Sequence, residues 1–517
     1  MSVATMLSRI LGLVREQLIA TLFSRTATDA FYVAFRIPNL LRDLFAEGAM
    51  SSAFIPTFTE YLKKRGSKEA SKLASNILNL LLVGLSLIAF LGILSSRSLI
   101  STFAGEFRVT QGKFELTVLL TQIMFPFLPM VAGAAVLMGV LNSQGSFFVP
   151  ALAPALFNLG SLAVAIGLYF WLPGWGYDPV LGMAIGTLLG GSLQLLVQIP
   201  GLLKRGFSYS ATLNFRHPGV RRILLLLGPG TIGLASTQVN ILVNTWLATS
   251  QGEGPVSWLN YAFRLMQFPL GIFGVAIASA TLPAVSAQVA TGDLGEIRKT
   301  LSSALRMVFA INVPASFGLI FLSYPIVALI YEHGKFKQTD TLSTSKALIF
   351  YAIGLFAYSG IKVLVPVFYA LGRSRVPVII STVSVGVNIG LNLWLIGPLG
   401  YLGLALGTSL TAIGNFGLLY WELHRFAGPF GTATIFSLWL KMLIASAVMG
   451  VSSLKVHAWL VAASGHAGVA SEIASLGLSI MVGLATLYGG CRLLQIKEIE
   501  IASGTVVKRL ARVLRRS

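Results

Sequence analysis

Charged residues are scarce in this sequence. Asp, Glu, Lys and Arg together make up 11% of the 517 residues, whereas hydrophobic residues make up 55% and the mean hydropathy is +0.79. A water-soluble protein would carry roughly 25% charged residues to cover its surface, and a single soluble core stops growing near ~250–300 residues. The composition therefore excludes an ordinary soluble protein and predicts that lipid surrounds most of the molecule.

Cysteine is almost absent and histidine is rare. Cys491 is the only cysteine, which excludes a disulfide framework and a cysteine-rich metal site. The five histidines have no spacing typical of metal ligands; they are His217, His333, His424, His457 and His466. The sequence also lacks a Walker motif and a dinucleotide fingerprint, which argues against ATP-driven transport by this chain. We therefore predict no metal and no cofactor.

Apolar runs close to the ~20 residues that span a bilayer recur along the whole chain. They lie at about 3–23, 29–62, 73–95, 116–141, 147–172, 180–203, 223–249, 256–290, 301–330, 346–371, 376–397, 401–422, 434–454 and 468–494. The first run is interrupted by charges and lacks a small-residue cleavage site, so we interpret it as a membrane helix rather than a signal peptide. The predicted fold class is an all-α polytopic membrane protein with about 14 transmembrane helices.

The net charge of +20 comes from basic residues in particular loops. They follow predicted helices 2, 6 and 14 and are Lys63, Lys64, Arg65, Lys68, Lys72, Lys204, Arg205, Arg216, Arg221, Arg222, Arg492, Lys497, Lys508, Arg509, Arg512, Arg515 and Arg516. With fourteen crossings these segments share one side, which the positive-inside rule makes cytoplasmic. We predict a multi-pass protein of the bacterial inner membrane with both termini inside, and no nucleic-acid partner. The basic tail is either an amphipathic helix on anionic lipid or a solvated segment.

Two short motifs recur at matching positions in the two halves of the chain. Ala34-Phe35-Arg36 matches Ala262-Phe263-Arg264, and GMAIGTLLG from Gly182 matches GLALGTSLT from Gly403. The pairs map predicted helices 1–6 onto 7–12 in the same direction, which predicts two six-helix lobes with the transport pathway between them. The predicted domains are an N-terminal lobe at 1–203, a C-terminal lobe at 204–425, two extra helices at 426–494 and a basic tail at 495–517. Glycines in the second motif stand at a small-xxx-small spacing, which allows close helix packing in lipid.

Predicted helices 1, 2 and 8 carry charges in segments that lipid should surround. These residues are Arg9, Arg15, Glu16, Asp29, Arg36, Arg42, Asp43, Glu47 and Arg264. Each arginine near the bilayer centre costs ~2.5–3.5 kcal/mol, so four facing lipid would cost on the order of 10 kcal/mol. The side chains must therefore face a wet cavity, pair with acids or reach an interface.

Helical spacing sorts these charges into two sets. Arg36, Asp43 and Glu47 fall near one helical stripe, which suits an internal ion-pair network. The second set, predicted to ring one cavity, consists of Arg9, Arg15, Arg42 and Arg264. Snorkelling at a helix end is the alternative for Arg9. Because guanidinium groups form paired, charge-assisted hydrogen bonds with phosphate, the cavity predicts an anionic amphiphile or an anionic solute as cargo.

Three segments resemble the lipid II flippase (MurJ) family of the multidrug/oligosaccharidyl-lipid/polysaccharide exporter superfamily. They read MLSRILGLVREQLIATLF, TDAFYVAFRIPNLLRDLFAEGAMSSAFIPTF and SWLNYAFRLMQFPLGIFGVAIASATLP. The resemblance implies a flippase that moves lipid II, the undecaprenyl-diphosphate-linked muropeptide, to the outer leaflet for peptidoglycan synthesis and cell shape. It implies lipid II and membrane lipids as partners, together with the cell-wall synthesis machinery.

The resemblance also implies roles for particular residues. The substrate-binding residues would be Arg9, Arg15, Arg42 and Arg264, and the gating or ion-pairing residues Asp29, Arg36, Asp43, Glu47 and Lys362. Some relatives bind sodium, and the matching candidate ion site here is Asn244, Asn388, Asn392 and Thr408, without a carboxylate. The chain departs from the family pattern at Gln267, where relatives often carry a glutamate, and at Asp43, where a second arginine can occur.

The parallel repeat and the cavity charges predict alternating access by two rocking lobes, driven by the membrane potential or a coupling ion. Two alternatives stay open within the superfamily: an exporter of another polyisoprenyl-linked glycan and a multidrug exporter. A membrane-embedded enzyme is the alternative from a different class, and it would need paired acids or a metal motif on a loop. The sequence offers neither, so we predict that the protein is not an enzyme.

Overall fold

The computed structural model describes residues 2–45, 48–464, 468–496 and 498. Within these residues every regular element is a helix. A helix satisfies its own backbone hydrogen bonds, which is why apolar segments of spanning length fold as helices in lipid. The all-α class expected from composition is confirmed for the described residues.

The helices follow one another along the chain with mostly short connections. Their bounds are α1 (Ser2–Leu22), α2 (Arg25–Phe45), α3 (Gly48–Phe103), α4 (Lys113–Met124), α5 (Phe127–Ser143), α6 (Phe148–Trp171), α7 (Leu181–Leu196), α8 (Ile199–Leu203), α9 (Pro218–Thr249), α10 (Pro255–Pro269), α11 (Val275–Thr291), α12 (Leu294–Phe321), α13 (Ser323–Tyr331), α14 (Gln338–Ile353), α15 (Leu355–Ala370), α16 (Arg375–Leu399), α17 (Tyr401–Ala427), α18 (Thr432–Ser464) and α19 (Val469–Leu493). Two 3-10 turns lie at Gly105–Val109 and Leu172–Trp175, and a π-helical turn at Leu270–Gly274 joins α10 to α11.

Ten stretches of the described residues are long and apolar enough to cross a membrane. They are Ala53–Phe103, Lys113–Ser143, Phe148–Trp175, Leu181–Leu203, Pro255–Thr291, Leu294–Phe321, Arg375–Leu399, Tyr401–Ala427, Thr432–Ala463 and Val469–Leu493. The pair α14 and α15, bent by 45°, makes an eleventh if it is one span. α1 and α2 lie outside this group, since both carry several charged side chains. The multi-pass class follows from these spans, and the count of fourteen stays a prediction.

α3 contains the main departure from the predicted helix bounds. The sequence predicts a basic connection at 63–72, whereas the structure keeps this stretch helical on both sides of Gly66. Gly66 has φ 82° and ψ 171°, a conformation that glycine adopts without the steric cost of a side chain. Lys64 pairs with Glu60 one turn earlier at 2.9 Å, and pairs at this spacing stabilise a helix. The basic stretch therefore folds as helix with a single break.

The chain divides into two compact units. The first is Met1–Ser257 with His333–Phe336, and the second is Trp258–Glu332 with Lys337–Ser517. This division follows packing, whereas the predicted domain bounds after 203, 425 and 494 follow the sequence repeat. Those bounds, the six-plus-six lobes and the two appended helices stay a prediction.

Each unit has its own apolar core. In the first unit α3 packs on α4, α5 and α9, and α6 packs on α1 and α7. Phe54, Phe58 and Leu73 of α3 are fully buried in this core. In the second unit α12 packs on α11, α15 and α18, and Leu305 and Val308 lie in the core with no exposed surface. These cores hold the helices that carry the charged residues described next.

Glycines set the close contact between α6 and α7, as their spacing predicts. A Cβ added at Gly186 would lie 2.4 Å from the carbonyl oxygen of Ser161, and one at Gly190 would lie 2.7 Å from that of Phe157. Helices in lipid associate through van der Waals packing, which small residues improve by letting backbones approach. The small-xxx-small interpretation of this motif is confirmed for the first unit.

Candidate functional site

Asp29 is the centre of a buried polar cluster in the first unit. It lies just after the first turn of α2, and its carboxylate accepts four hydrogen bonds. The donors are Lys113 Nζ at 2.9 Å, Gly254 N at 2.7 Å, Ser257 N at 3.0 Å and Ser257 Oγ at 2.6 Å. The side chains of Asp29 and Lys113 are 0% and 1% exposed. An ionised carboxylate is tolerated in such a place because every bond it accepts offsets part of its desolvation.

Lys113 belongs to this buried cluster, and the sequence analysis did not single it out. It begins α4, whose other residues are mostly apolar, and its Nζ also lies 4.0 Å from the centre of the Phe107 ring. In the sequence, Lys113 is a single lysine at the N-terminus of a mostly apolar helix. Such a lysine could equally extend its ammonium group to the membrane interface. The structure instead buries the ammonium against Asp29, which joins α2 to α4 and to the segment around Ser257.

Arg15 is held by its neighbour in sequence. Its Nη2 donates to Glu16 Oε1 at 3.1 Å, and Tyr32 OH donates to the other oxygen of the same carboxylate. The guanidinium also lies 5.6 Å from the centre of the Phe157 ring. The Arg15 side chain is 11% exposed and that of Glu16 2%. A charge that insertion scales would penalise is thus paired and mostly buried within the first unit.

Arg42, in the last turn of α2, is likewise held by its neighbour in sequence. Its Nε and Nη2 donate to Asp43 Oδ1 at 3.0 and 2.7 Å. The second oxygen of Asp43 accepts from Gln238 Nε2 of α9 at 2.9 Å and from Asn39 Nδ2 at 3.3 Å. Arg42 and Asp43 keep 22% and 19% of their side-chain surface exposed. Both predicted arginines therefore stand beside a carboxylate and retain some accessible surface.

Two of the remaining arginines and the predicted gating lysine are more exposed than Arg15 and Arg42. Arg9 on α1, Arg264 on α10 and Lys362 on α15 are all exposed. Arg36 on α2 is half-buried. Arg264 and Lys362 belong to the second unit, and Arg9 and Arg36 to the first. The binding and gating roles of all four stay predictions.

The candidate ion-site residues are distributed over both units. Asn388 and Asn392 of α16 are fully buried in the second unit, where Asn392 Nδ2 donates to Asn388 Oδ1 at 2.8 Å. Asn388 Nδ2 donates in turn to Thr411 Oγ1 at 3.2 Å. Thr408 Oγ1 donates to the carbonyl of the preceding turn of α17, and Asn244 lies in the first unit. The amides of α16 thus form a hydrogen-bonded chain, and an ion-binding role for the four residues stays a prediction.

Two predicted features lie wholly or mostly outside the described residues. Glu47 is one, and most of the tail at 495–517 is the other. At the start of the tail, Glu498 Oε1 lies 2.9 Å from Arg306 Nη1 of α12. Among the described residues, no group of three or more His, Cys, Asp or Glu side chains is arranged to hold a metal ion.

The fold is that of multi-pass membrane transporters. A solved structure described as the inward-facing conformation of a multidrug resistance MATE family transporter of the MOP superfamily superposes with a TM-score of 0.69, covering 83% of this chain and 95% of that one at 16% identity. A solved structure described as lipid II flippase MurJ in an inward closed conformation superposes with a TM-score of 0.78, covering 95% and 99% at 27% identity.

The sequence comparisons identify the family. The family model described as lipid II flippase MurJ matches residues 18–468. The lipid II flippase MurJ of Burkholderia cenocepacia is 37% identical over 427 residues, which cover 81% of this chain and 82% of that protein. The probable lipid II flippase MurJ of Rickettsia prowazekii is 33% identical over 503 residues, covering 96% and 97%. This chain belongs to the lipid II flippase MurJ family, as its segments in α1, α2 and α10 predicted.

Proposed function

We propose that this protein is a lipid II flippase of the bacterial cytoplasmic membrane. It moves the undecaprenyl-diphosphate-linked muropeptide from the inner to the outer leaflet and so supplies peptidoglycan synthesis. The observation that carries the proposal is the family match over residues 18–468, which includes α2 and α10 with their arginines. The mostly buried, acid-paired guanidinium groups of Arg15 and Arg42 support it on physical grounds.

The pairing explains how arginines remain in the membrane without cargo. An isolated arginine costs ~2.5–3.5 kcal/mol near the bilayer centre, and the adjacent carboxylates of Glu16 and Asp43 offset much of that cost in the empty protein. Lipid II brings a diphosphate, which offers more acceptor oxygens than one carboxylate. Each charge-assisted hydrogen bond to it contributes about 1.5–3 kcal/mol. Arg15 and Arg42 therefore bind the diphosphate either in place of their carboxylate partners or together with them. Arg9 and Arg264 contribute further contacts to the cargo.

The transport cycle follows from the sequence repeat and the charge bias. Fourteen crossings, with both termini in the cytoplasm, place the basic loops inside and form two six-helix lobes that alternate access. The Asp29 cluster is the outer gate, since its four bonds tie α2 to α4 and to the start of α10, and gating requires some of them to break. An inside-negative potential favours the empty, cationic carrier facing the cytoplasm at ~2.3 kcal/mol per charge per 100 mV. A coupling ion is the alternative energy source.

The proposal is tested by substituting each predicted arginine and scoring growth of a strain depleted of its own MurJ. The variants Arg15→Ala, Arg42→Ala, Arg264→Ala and Arg9→Ala are expected to fail to rescue, and Arg→Lys at the same positions to rescue partly at best. Arg97→Ala is the matched control, because Arg97 forms an exposed pair with Glu115. Accessibility of the lipid II headgroup at the outer leaflet reports transport directly. Full rescue by all four alanine variants at normal protein levels would refute the proposal.

A multidrug or other glycan-lipid exporter is the second candidate, and the fold shared with the MATE transporter favours it. That similarity is at 16% identity and concerns the fold alone. A cation exporter needs carboxylates facing its cargo, whereas here Glu16 and Asp43 are already engaged by arginines. Proteoliposomes loaded with fluorescent lipid II, another polyprenyl-diphosphate glycan or a cationic dye separate the candidates by which one crosses the bilayer. Recovery of the labelled lipid unchanged would separate transport from a membrane-embedded enzyme.

A further inference from the structure

A small cavity lies where α3 breaks at Gly66 and α9 begins. Its volume is about 330 Å³, at the lower end of the ~300–1,000 Å³ typical of ligand pockets. All its residues belong to the first unit and none is among the predicted substrate arginines; they are Glu60, Tyr61, Lys64, Arg65, Pro218, Gly219 and Arg222. The size suits a single polar headgroup rather than a large organic ligand.

The lining of this cavity is cationic. Three of its side chains are basic and one is acidic, which leaves an excess of two positive charges. Glu60 accepts hydrogen bonds from Lys64 Nζ at 2.9 Å and from Arg222 Nη1 at 2.6 Å. One carboxylate therefore orients cations from both α3 and α9. Lys64 is 72% exposed and Arg222 53%. Their remaining donors are therefore reachable from solvent or from a lipid headgroup.

The other wall of the cavity contains a buried aromatic ring with a guanidinium over it. Tyr61 is buried, and the Arg65 guanidinium lies 4.6 Å from the centre of its ring. The centre of the Tyr61 ring also lies 5.9 Å from that of His217, whose Nδ1 accepts from Gly219 N at 3.1 Å. This cation–π contact restricts the Arg65 guanidinium, so less conformational entropy is lost when it binds an anion. Gly219 stands in the first turn of α9, where the helix dipole adds further positive potential.

We propose that this cavity binds the phosphate group of an anionic phospholipid headgroup. The chemistry fits because a phosphate takes bonds from one arginine fork and one lysine, with Arg65 over the Tyr61 ring as a third cation. The lipid is favoured as its source because α3 beyond Gly66 lies in a membrane-spanning stretch, Ala53–Phe103. In the orientation proposed above, the site faces the cytoplasmic leaflet, which carries anionic lipid. A bound phosphate would link α3 to α9 and stabilise their contact.

The test uses the full-length protein in detergent without phosphate. Thermal unfolding is followed while dihexanoylphosphatidylglycerol is added, with dihexanoylphosphatidylcholine as the zwitterionic comparison and inorganic pyrophosphate as the soluble phosphate. The variant Lys64→Ala/Arg222→Ala is compared with Lys63→Ala/Arg221→Ala, which removes the same charges from exposed neighbours that do not line the cavity. Lys64→Gln is a milder variant that removes the charge and keeps a hydrogen-bond donor. Because this lysine is mostly exposed, its replacement should not disturb the fold.

We expect saturable stabilisation of the wild type and of the neighbour control by phosphatidylglycerol. The cavity variant should need at least about tenfold more of this lipid, and Lys64→Gln an intermediate amount, because each lost charge-assisted bond weakens binding. Equal loss in the neighbour control would show a diffuse surface effect and overturn the proposal, as would an equal response to phosphatidylcholine. Stabilisation by pyrophosphate without any by phosphatidylglycerol would overturn the lipid as the source. None of these outcomes depends on lipid II transport, so they stand apart from the proposed function.

Discussion

Removing either charge of the buried Asp29–Lys113 pair should destabilise the protein strongly. Asp29→Asn leaves the Lys113 ammonium, 1% exposed, without a counter-charge. Lys113→Met leaves the Asp29 carboxylate with three donors, from Gly254 and Ser257. Breaking a buried pair by removing one partner costs about 3–5 kcal/mol. We expect Asp29→Asn at the upper end of that range and Lys113→Met at the lower end, because the carboxylate keeps more of its hydrogen bonds.

The double variant distinguishes an uncompensated charge from a general packing defect. Replacing both partners by neutral groups of similar size is close to neutral in stability, so Asp29→Asn/Lys113→Met should recover most of the loss. The coupling energy is the sum of the two single losses minus the loss of the double variant. Because the double variant should lose less than Asp29→Asn alone, the coupling should exceed about 3 kcal/mol, the loss expected for Lys113→Met. If Asp29 also closes the outer gate, the double variant should be stable and yet transport lipid II at an altered rate.

The assay is reversible unfolding in mixed micelles, with lipid II headgroup accessibility measured on the same four proteins. The exposed pair Arg97–Glu115, 67% and 60% exposed, provides the control cycle, because it joins α3 to the same helix α4 that carries Lys113. Its coupling should stay below about 1 kcal/mol. Additive losses in the buried cycle, or single variants as stable as the wild type, would refute the reasoning that this pair is dry and mutually compensating.

Two further predictions concern packing and pH. Gly186→Ala should destabilise the first unit by about 1–3 kcal/mol, since the new Cβ would meet the Ser161 carbonyl oxygen at 2.4 Å. The decrease is measured as a change in the free energy of unfolding. Burial and the nearby charge of Arg65 lower the pKa of His217 from its ordinary value of 6.5. The folded state therefore takes up this proton less readily than the unfolded one, so stability should decrease as the pH falls below 6.5.

Matched variants isolate each effect. Gly167→Ala is the control for the first, because no heavy atom lies within 4 Å of its new Cβ; it should be neutral or stabilise α6 by up to about 1 kcal/mol. A loss equal to that of Gly186→Ala would contradict the close-packing argument. His217→Asn keeps an acceptor for the Gly219 amide but cannot titrate in this range. The loss of stability below pH 6.5 should be smaller in His217→Asn than in the wild type. An unchanged pH profile would show that other groups cause this loss.

Several features were determined by the sequence itself because they depend on local pattern. The length and composition of the apolar runs predict the helical, multi-pass class, since lipid leaves few other ways to satisfy the backbone. The glycines at small-xxx-small spacing around Gly186 predict close helix packing, which the structure shows between α6 and α7. Arg15 and Glu16 are adjacent in sequence, as are Arg42 and Asp43, so the sequence itself places a carboxylate beside each of these arginines. The segments in α1, α2 and α10 predicted the family.

Other features were decided only by the tertiary structure. Asp29 and Lys113 are 84 residues apart, and Ser257 is 228 residues from Asp29; nothing in local spacing relates such distant positions. The basic stretch at 63–72 was predicted as a connection from its charge, yet it is helical except at Gly66, because its residues also favour helix and pair one turn apart. The sequence specifies which groups are charged, but the packing of distant helices decides which of those charges meet and which stay exposed.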